Sequence, residues 1–260
     1  MIESLFTMQD KICVVTGGSR GLGSFMAQGF LEAGAKRVYI TARKAEACIS
    51  TAKELTQYGE CIAIPGDIST SDGLHNLVTE RMSRGQQIDV LVNNAVAGWG
   101  APFGEFPETG WDKTMNINVK SPFFLIQALA PLLKKNATAD NTASIINIGS
   151  IAGIVGNALD NFSYAVSKTA IHQVTRILST ELAKDHIRVN AIAPGRFYSK
   201  MTDFLSSDQE AFEEELKTIP MRRGGEAADI AGVAIMLASK AGAFITGQII
   251  LVDGGTSVVN

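Results

Sequence analysis

A chain of 260 residues can bury a full core, either as one α/β domain or as two small ones. Apolar residues make up 46% and charged residues 19%, and the net charge of -3, with no run of Lys or Arg, argues against a dedicated nucleic-acid surface. The three cysteines, Cys13, Cys48 and Cys61, are odd in number and show no CxxC spacing, so neither a disulfide nor a metal site is expected of them.

The N-terminal residues Met1 to Phe6 lack the basic start and long apolar run of a signal peptide. Ser121 to Leu133 is too short to cross a bilayer and is interrupted by Gln127 and Pro131. A reducing, cytoplasmic location without membrane contact is expected. The first regular element is a β-rich run, Lys11 to Thr16, which ends in Gly17-Gly18-Ser19-Arg20-Gly21-Leu22-Gly23. A helical pattern with Phe25, Met26, Phe30 and Leu31 follows and stops at Gly34, a plausible C-terminal cap. Strand, glycine turn and helix is the setting in which a glycine loop holds a diphosphate. Glycines let the backbone approach the phosphates, and the helix start offers unpaired N–H groups.

The second strand, Arg37 to Thr41, leads into Ala42-Arg43. An NAD site usually places an acid here for the ribose hydroxyls, whereas an arginine accommodates a 2′-phosphate. Positions 37 to 45 hold no acid, and Arg43 and Arg20 are available, which favours NADP(H) over NAD; the alternative is two solvated surface arginines. A helix over Glu46 to Tyr58 and a third strand over Cys61 to Ile64 deliver Asp67 and Ile68 at the strand end. Asp67 is either an acceptor for an adenine amino group or the N-cap of a helix from Leu74. The fourth strand, Ile88 to Val92, is almost wholly apolar, as a strand covered on both faces should be. It ends in Asn93-Asn94-Ala95, polar groups at the sheet edge where open α/β folds bind ligands.

A long helical pattern from Trp111 to Leu133, bent at Pro122, contains Asn118. The fifth strand, Ser144 to Ile148, ends in Gly149-Ser150, and a helix to about Lys184 carries Tyr164 and Lys168. Residues four apart on a helix share a face, so the Lys168 ammonium is expected to lower the Tyr164 phenol from its ordinary pKa of about 10. Taken alone, Tyr-x-x-x-Lys reads as an ordinary amphipathic helix pair, and it is the rest of the chain that overturns this. A sixth strand, His186 to Ile192, leads to Pro194-Gly195. Residues 196 to 223 read as a polar, partly helical lid over a substrate, with Phe197, Tyr198, Met201, Phe204, Leu205 and Met221 as its apolar surface. A last helix, Asp229 to Ala238, and a seventh strand, Ile249 to Val252, close a chain without repeats or linkers, so one domain is predicted over 1–260.

With these landmarks in order, the chain resembles the short-chain dehydrogenase/reductase family from about residue 8 to its end. Thr16 to Gly23 fits the family's TGxxxGxG loop; Ser150, Tyr164 and Lys168 fit its Ser…YxxxK site; Asn118 matches the asparagine of its tetrad; Pro194-Gly195 and Asp253-Gly254-Gly255 match later landmarks. Where the family usually reads NNAG, this chain reads Asn93-Asn94-Ala95-Val96, and a Val takes positive φ only at a cost. Ala47-Cys48, Pro131 to Lys135, Ile146 to Ser150 and Ala193 to Phe197 bring it nearest to bacterial 3-oxoacyl-[acyl-carrier-protein] reductases, including the branch linked to rhamnolipid synthesis.

The resemblance implies a single-domain Rossmann fold, a seven-stranded parallel sheet with helices on both faces. It implies NADP(H) held by Gly17, Ser19, Arg20, Gly21, Leu22, Gly23, Arg43, Asp67, Ile68, Asn94, Ala95, Tyr164, Lys168, Pro194 and Gly195. Catalysis falls to Asn118, Ser150, Tyr164 and Lys168: Lys168 holds ribose hydroxyls, Ser150 binds the substrate oxygen and Tyr164 donates the proton. Asn118 either anchors a water that relays protons to Lys168 or simply bends its helix. The implied reaction is reduction of a ketone, on an acyl carrier protein or coenzyme A thioester, by a homotetramer. A basic rim of Arg196, Lys200, Arg222 and Arg223 either meets an acidic carrier or is simply solvated. The alternatives are a reductase of a steroid, sugar or small ketone, and a cofactor-binding regulator without catalysis.

Overall fold

The computed structural model describes residues 2–85, 87–156, 160–197, 214 and 216–259. A short helix α1 (Ile2–Phe6), which the sequence pattern does not announce, precedes β1 (Ile12–Thr16). Then follow α2 (Gly21–Glu32), β2 (Arg37–Thr41), α3 (Ala45–Leu55), β3 (Cys61–Ala63), α4 (Ser71–Ser83) and β4 (Val90–Asn93). The second half comprises α5 (Glu108–Met115), α6 (Ser121–Lys134), β5 (Ala143–Ile148), α7 (Phe162–Leu182), β6 (Ile187–Pro194), α8 (Ala227–Ala238) and β7 (Ile249–Val252).

Every pairing in the sheet is parallel, in the order β3-β2-β1-β4-β5-β6-β7. Strand residues alternate between two cores because successive side chains leave a strand on opposite faces. Val14, Tyr39, Leu91, Ile145 and Val189 pack with Leu77 of α4 and with Leu125, Leu129 and Leu133 of α6. Cys13, Val15, Val38, Ile40, Val92 and Ile146 pack with α2, α3 and α8 through Phe30, Cys48 and Ile230. Helices therefore cover both faces, and β4, β5 and β6 are buried along their whole length.

Two boundaries differ from the sequence reading for identifiable reasons. Helix α4 starts at Ser71 instead of Leu74, because Thr70 is its N-cap: the Thr70 hydroxyl accepts from Gly73 N at 3.0 Å. The long helical stretch is broken by a π-helical turn at Asn116–Lys120, and Pro122 merely sits in the first turn of α6. All three cysteines are free and buried, and burial pushes Cys61 up to about 12, so it is an inert core thiol. Most of the expected lid lies outside the described residues, including Tyr198, Lys200, Met201, Phe204 and Leu205. Among the described residues no helix is long and apolar enough to cross a membrane.

Candidate active site

From β1 the chain moves to β2 on one side and later to β4 on the other, which opens a crevice beyond the carboxyl ends of β1 and β4. The glycine loop and Asn94-Ala95 meet there. The Asn94 amide nitrogen Nδ2 donates to the carbonyls of Thr16 at 2.9 Å and Gly17 at 3.1 Å. Backbone N–H groups of Asn94 and Ala95 both donate to Thr16 Oγ1, at 2.9 and 3.0 Å. Gly17 has φ of 65°, and a Cβ on Gly23 would lie 2.4 Å from the Gly17 oxygen, so neither position accepts a side chain without rearrangement. Arg20, in extended conformation, caps α2 without a side-chain bond, leaving the helix start open to an anion. Donors, glycine backbone and an open helix start together fit a diphosphate.

Arg20 and Arg43 are exposed, and neither guanidinium has a hydrogen-bond or ion-pair partner among the described residues. Asp67 is not the helix cap; its Oδ1 accepts from Ser69 N at 3.0 Å and Ser69 Oγ at 2.7 Å. Partial burial pushes the Asp67 carboxyl up, but the Ser69 bonds and the nearby Arg43 charge outweigh it and hold it below the usual range. Arg43 and Asp67 thus sit close together at the ends of β2 and β3, and Ile68 beside them is buried.

Ser150 leaves the end of β5, and α7 brings Tyr164 to it. The two side chains lie close enough for Ser150 to pull the phenol's pKa down, and Ser150 Oγ accepts from Ala152 N at 3.1 Å. Lys168, one turn further along α7, has its Nζ 5.4 Å from the centre of the Tyr164 ring and donates to the Ile148 carbonyl at 2.8 Å. Here the electrostatic expectation is corrected. Burial pushes the Tyr164 phenol up, against a smaller downward pull from Ser150, and burial pushes Lys168 itself down to about 7. An ammonium so poorly solvated carries less charge at neutrality, and it does not lower the phenol in the free protein. At the next strand end Gly195 N donates to Val252 O at 2.9 Å, and a Cβ on Gly195 would stand 2.8 Å from Asp253, so Pro194-Gly195 is held against the turn after β7.

Asn118 lies in the π-helical turn. Its Nδ2 donates to Ala97 O at 2.8 Å and to Ser167 Oγ at 2.9 Å, and its Oδ1 accepts from Ala97 N at 2.9 Å. Both amide hydrogens are therefore engaged in joining the loop after β4 to α7, which leaves no side-chain donor for a relayed water. Val96 is not among the residues with positive φ, so the loop runs past it without the strain its sequence suggested. That loop passes close to the phenol: a Cβ on Gly98 would be 3.7 Å from Tyr164 Cδ2. Phe162, two residues before Tyr164, meets Phe103 and Phe106 edge-on at 5.6 and 5.8 Å between ring centres, and Phe103 is 85% exposed.

Several neighbours went unread in the sequence. Ser167 donates to Tyr164 O at 2.7 Å, and His172 is buried one turn beyond Lys168. The signal was there: Tyr164, Lys168 and His172 continue one helical stripe at four-residue steps. A cavity of about 280 Å³ at the end of β7, bordered by Arg196, Met221 and Asp253, does not include Ser150, Tyr164 or Lys168. Its Arg223 is paired with Asp229 at 2.6 Å.

A family model described as enoyl-(acyl carrier protein) reductase matches residues 17–257. The chain is 48% identical over 250 residues to the rhamnolipids biosynthesis 3-oxoacyl-[acyl-carrier-protein] reductase of Pseudomonas aeruginosa, covering 96% of this chain and 97% of that one. It is 37% identical over 256 residues to the 2-dehydro-3-deoxy-D-gluconate 5-dehydrogenase of Dickeya dadantii, covering 98% of each. Among solved structures it resembles a Pseudomonas aeruginosa RhlG/NADP active-site complex, with a TM-score of 0.95 and 47% identity over 98% of this chain and 99% of that one.

Proposed function

We propose that this protein, which belongs to the short-chain dehydrogenase/reductase family, reduces the ketone of a 3-oxoacyl thioester to the 3-hydroxyacyl thioester with NADPH. The observation that carries the reaction type is the juxtaposition of Ser150 and Tyr164 beside buried Lys168, at the sheet edge that also bears the glycine cradle. Two hydroxyls converging on one point are suited to a carbonyl oxygen. Ser150 Oγ holds that oxygen, and Tyr164 Oη gives it a proton as it becomes an alcohol. The raised phenol favours this role, because it stays protonated at neutral pH. NADPH, when bound, supplies the hydride. Lys168 holds the polar face of the ligand beside the phenol, and Asn118 fixes the loop at Ala97 against α7.

Arg43 and Arg20 recognise the 2′-phosphate, supported by their exposure and by the absence of an acid at the end of β2. Arg43→Ala is expected to raise the NADPH KM about tenfold, the scale of one charge-assisted hydrogen bond, and leave the NADH KM within about twofold. Steady-state kinetics with both nucleotides read this. Equal effects on the two would assign Arg43 a general packing role.

The acyl substrate is supported by the 48% identity to a 3-oxoacyl reductase and by the aromatic cluster of Phe103, Phe106 and Phe162 at the start of α7. The thioester is carried on acyl carrier protein or coenzyme A. Of the expected basic rim, Arg223 is engaged by Asp229 at 2.6 Å and Arg222 by the Lys217 carbonyl, so carrier recognition draws little from these two. We assign a cytoplasmic homotetramer. Exposed Phe123 and Phe124 on α6, Ile177 on α7 and Leu251 on β7 supply apolar surface for subunit contacts. The relative at 37% identity, a sugar-acid dehydrogenase, supports a second reading with the same residues and a hydroxylated substrate.

NADPH oxidation against 3-oxoacyl thioesters and keto-gluconates separates the two. The thioester is expected to have a kcat/KM at least about tenfold higher, the value of a few buried methylenes. Turnover of the keto sugar acid alone would overturn the substrate and keep the mechanism.

A further inference from the structure

His172 lies on the stripe of α7 that carries Tyr164 and Lys168, and only 3% of its surface is exposed. The Gly153 carbonyl lies near the ring and exerts an upward pull on its pKa. Nε2 is buried and has no partner among the described residues. The Nε2 edge of the ring abuts Gly149: a Cβ at that position would be 2.1 Å from Nε2 and 2.7 Å from Cδ2. Gly149 and Gly153 bracket Ser150, and His172 therefore grips the catalytic turn on both sides of its serine. The turn has little freedom elsewhere, since Gly149 N donates to Ile192 O at 2.7 Å and a Cβ on Gly153 would be 2.6 Å from the Lys168 backbone. Thr169 Oγ1 donates to Gly153 O at 3.1 Å, so the far side of the turn is tied to α7 by its own bond, whereas Gly149 meets α7 through the imidazole.

We propose that His172 is a positioning residue of the reductase site: its ring seats the Gly149–Gly153 turn on α7 and so sets where the Ser150 hydroxyl meets Tyr164. A smaller side chain would let Gly149 settle towards the helix and draw Ser150 away from the phenol. A buried nitrogen without a partner is costly, and here the cost is tolerated at the contact that orients the serine. Burial first, then the neighbouring charges of Lys168 and Arg176, push His172 down to about 4, against a smaller upward pull from the Gly153 carbonyl. The ring is therefore neutral wherever the enzyme works, and it adds no charge beside Lys168.

The proposal rests on the reading of Ser150 and Tyr164 as the substrate-oxygen pair, and the test keeps the two apart. His172→Gln carries its amide out to the Nε2 position against Gly149, whereas His172→Asn stops one carbon short of it. kcat and KM for ketone and for NADPH are measured for both, together with thermal stability and alongside Tyr164→Phe. His172→Gln is expected to keep kcat within about threefold of wild type and His172→Asn to lose about tenfold or more, with NADPH KM unchanged in both; a displaced substrate-holding group costs on this scale. Equal kcat in the two amides, or losses that follow stability alone, would overturn the positioning role. Wild-type turnover in Tyr164→Phe would overturn the underlying reading instead.

Discussion

Tyr164→Phe is expected to lower turnover by about a thousandfold while NADPH affinity stays unchanged. The substitution removes one oxygen and little else. The ring keeps its place beside Gly98 and its 5.4 Å approach to the Lys168 ammonium, so packing and cofactor geometry survive. What disappears is the proton donor and the partner of Ser150. A positioned general acid contributes roughly 10²- to 10⁴-fold, and no other phenol shares this face of α7. Single-turnover NADPH oxidation and a fluorescence titration with NADPH read the two halves separately. Turnover of wild-type order would refute the proton-donor role, and joint loss of binding and turnover would point to a damaged site.

Replacing Lys168 by Met should move activity and stability in opposite directions. Lys168 is 3% exposed and its ammonium donates to one carbonyl, Ile148 O at 2.8 Å. Burial pushes it from an ordinary 10.5 down to about 7. Between those values the unfolded chain holds a proton that the folded chain has released, so the unfolding free energy rises with pH through the window. The slope approaches about 1.4 kcal/mol per pH unit. The usable range is about pH 7 to 9, because the buried thiols add an opposite slope above their ordinary value. His172, pushed down to about 4, affects only the acid side below its ordinary 6.5. Urea denaturation of the cofactor-free protein should show wild type gaining stability from pH 7 to 9 and Lys168→Met staying nearly flat. At pH 7 the variant should be the more stable by about 3–5 kcal/mol, yet inactive. Parallel pH profiles for the two proteins would show that Lys168 keeps an ordinary affinity for its proton in the fold.

These expectations begin from residues that the sequence exposes and end on contacts that it hides. The glycine loop, Arg43 and the Tyr164–Lys168 pair were legible because each depends on local spacing, a turn or one helical step. The seven strands were legible for the same reason: a short, almost wholly apolar run such as Ile88 to Val92 declares a strand covered on both faces, and the structure places β4 at Val90–Asn93. The π-helical turn at Asn116–Lys120 was not, since a single extra residue per turn leaves no local pattern. Nor was the engagement of Asn118 with Ala97 and Ser167, which joins positions 21 and 49 residues away. The inverted electrostatics of Tyr164 and Lys168 escaped for a deeper reason. Spacing shows that a cation and a phenol are neighbours, but only burial decides how much charge the cation keeps.

The four hydrogen bonds between Thr16-Gly17 and Asn94-Ala95 carry one more consequence. They lock the loops after two adjacent strands into one rigid body before any ligand arrives. A guest entering a preformed cradle forfeits little loop entropy, so the heat of binding should report direct contacts and not a coupled folding step. The same rigidity makes the sheet a ruler. The separation between the diphosphate seat and the Ser150–Tyr164 pair is set by strand register, and a substrate has only to fit a gap whose width is already decided.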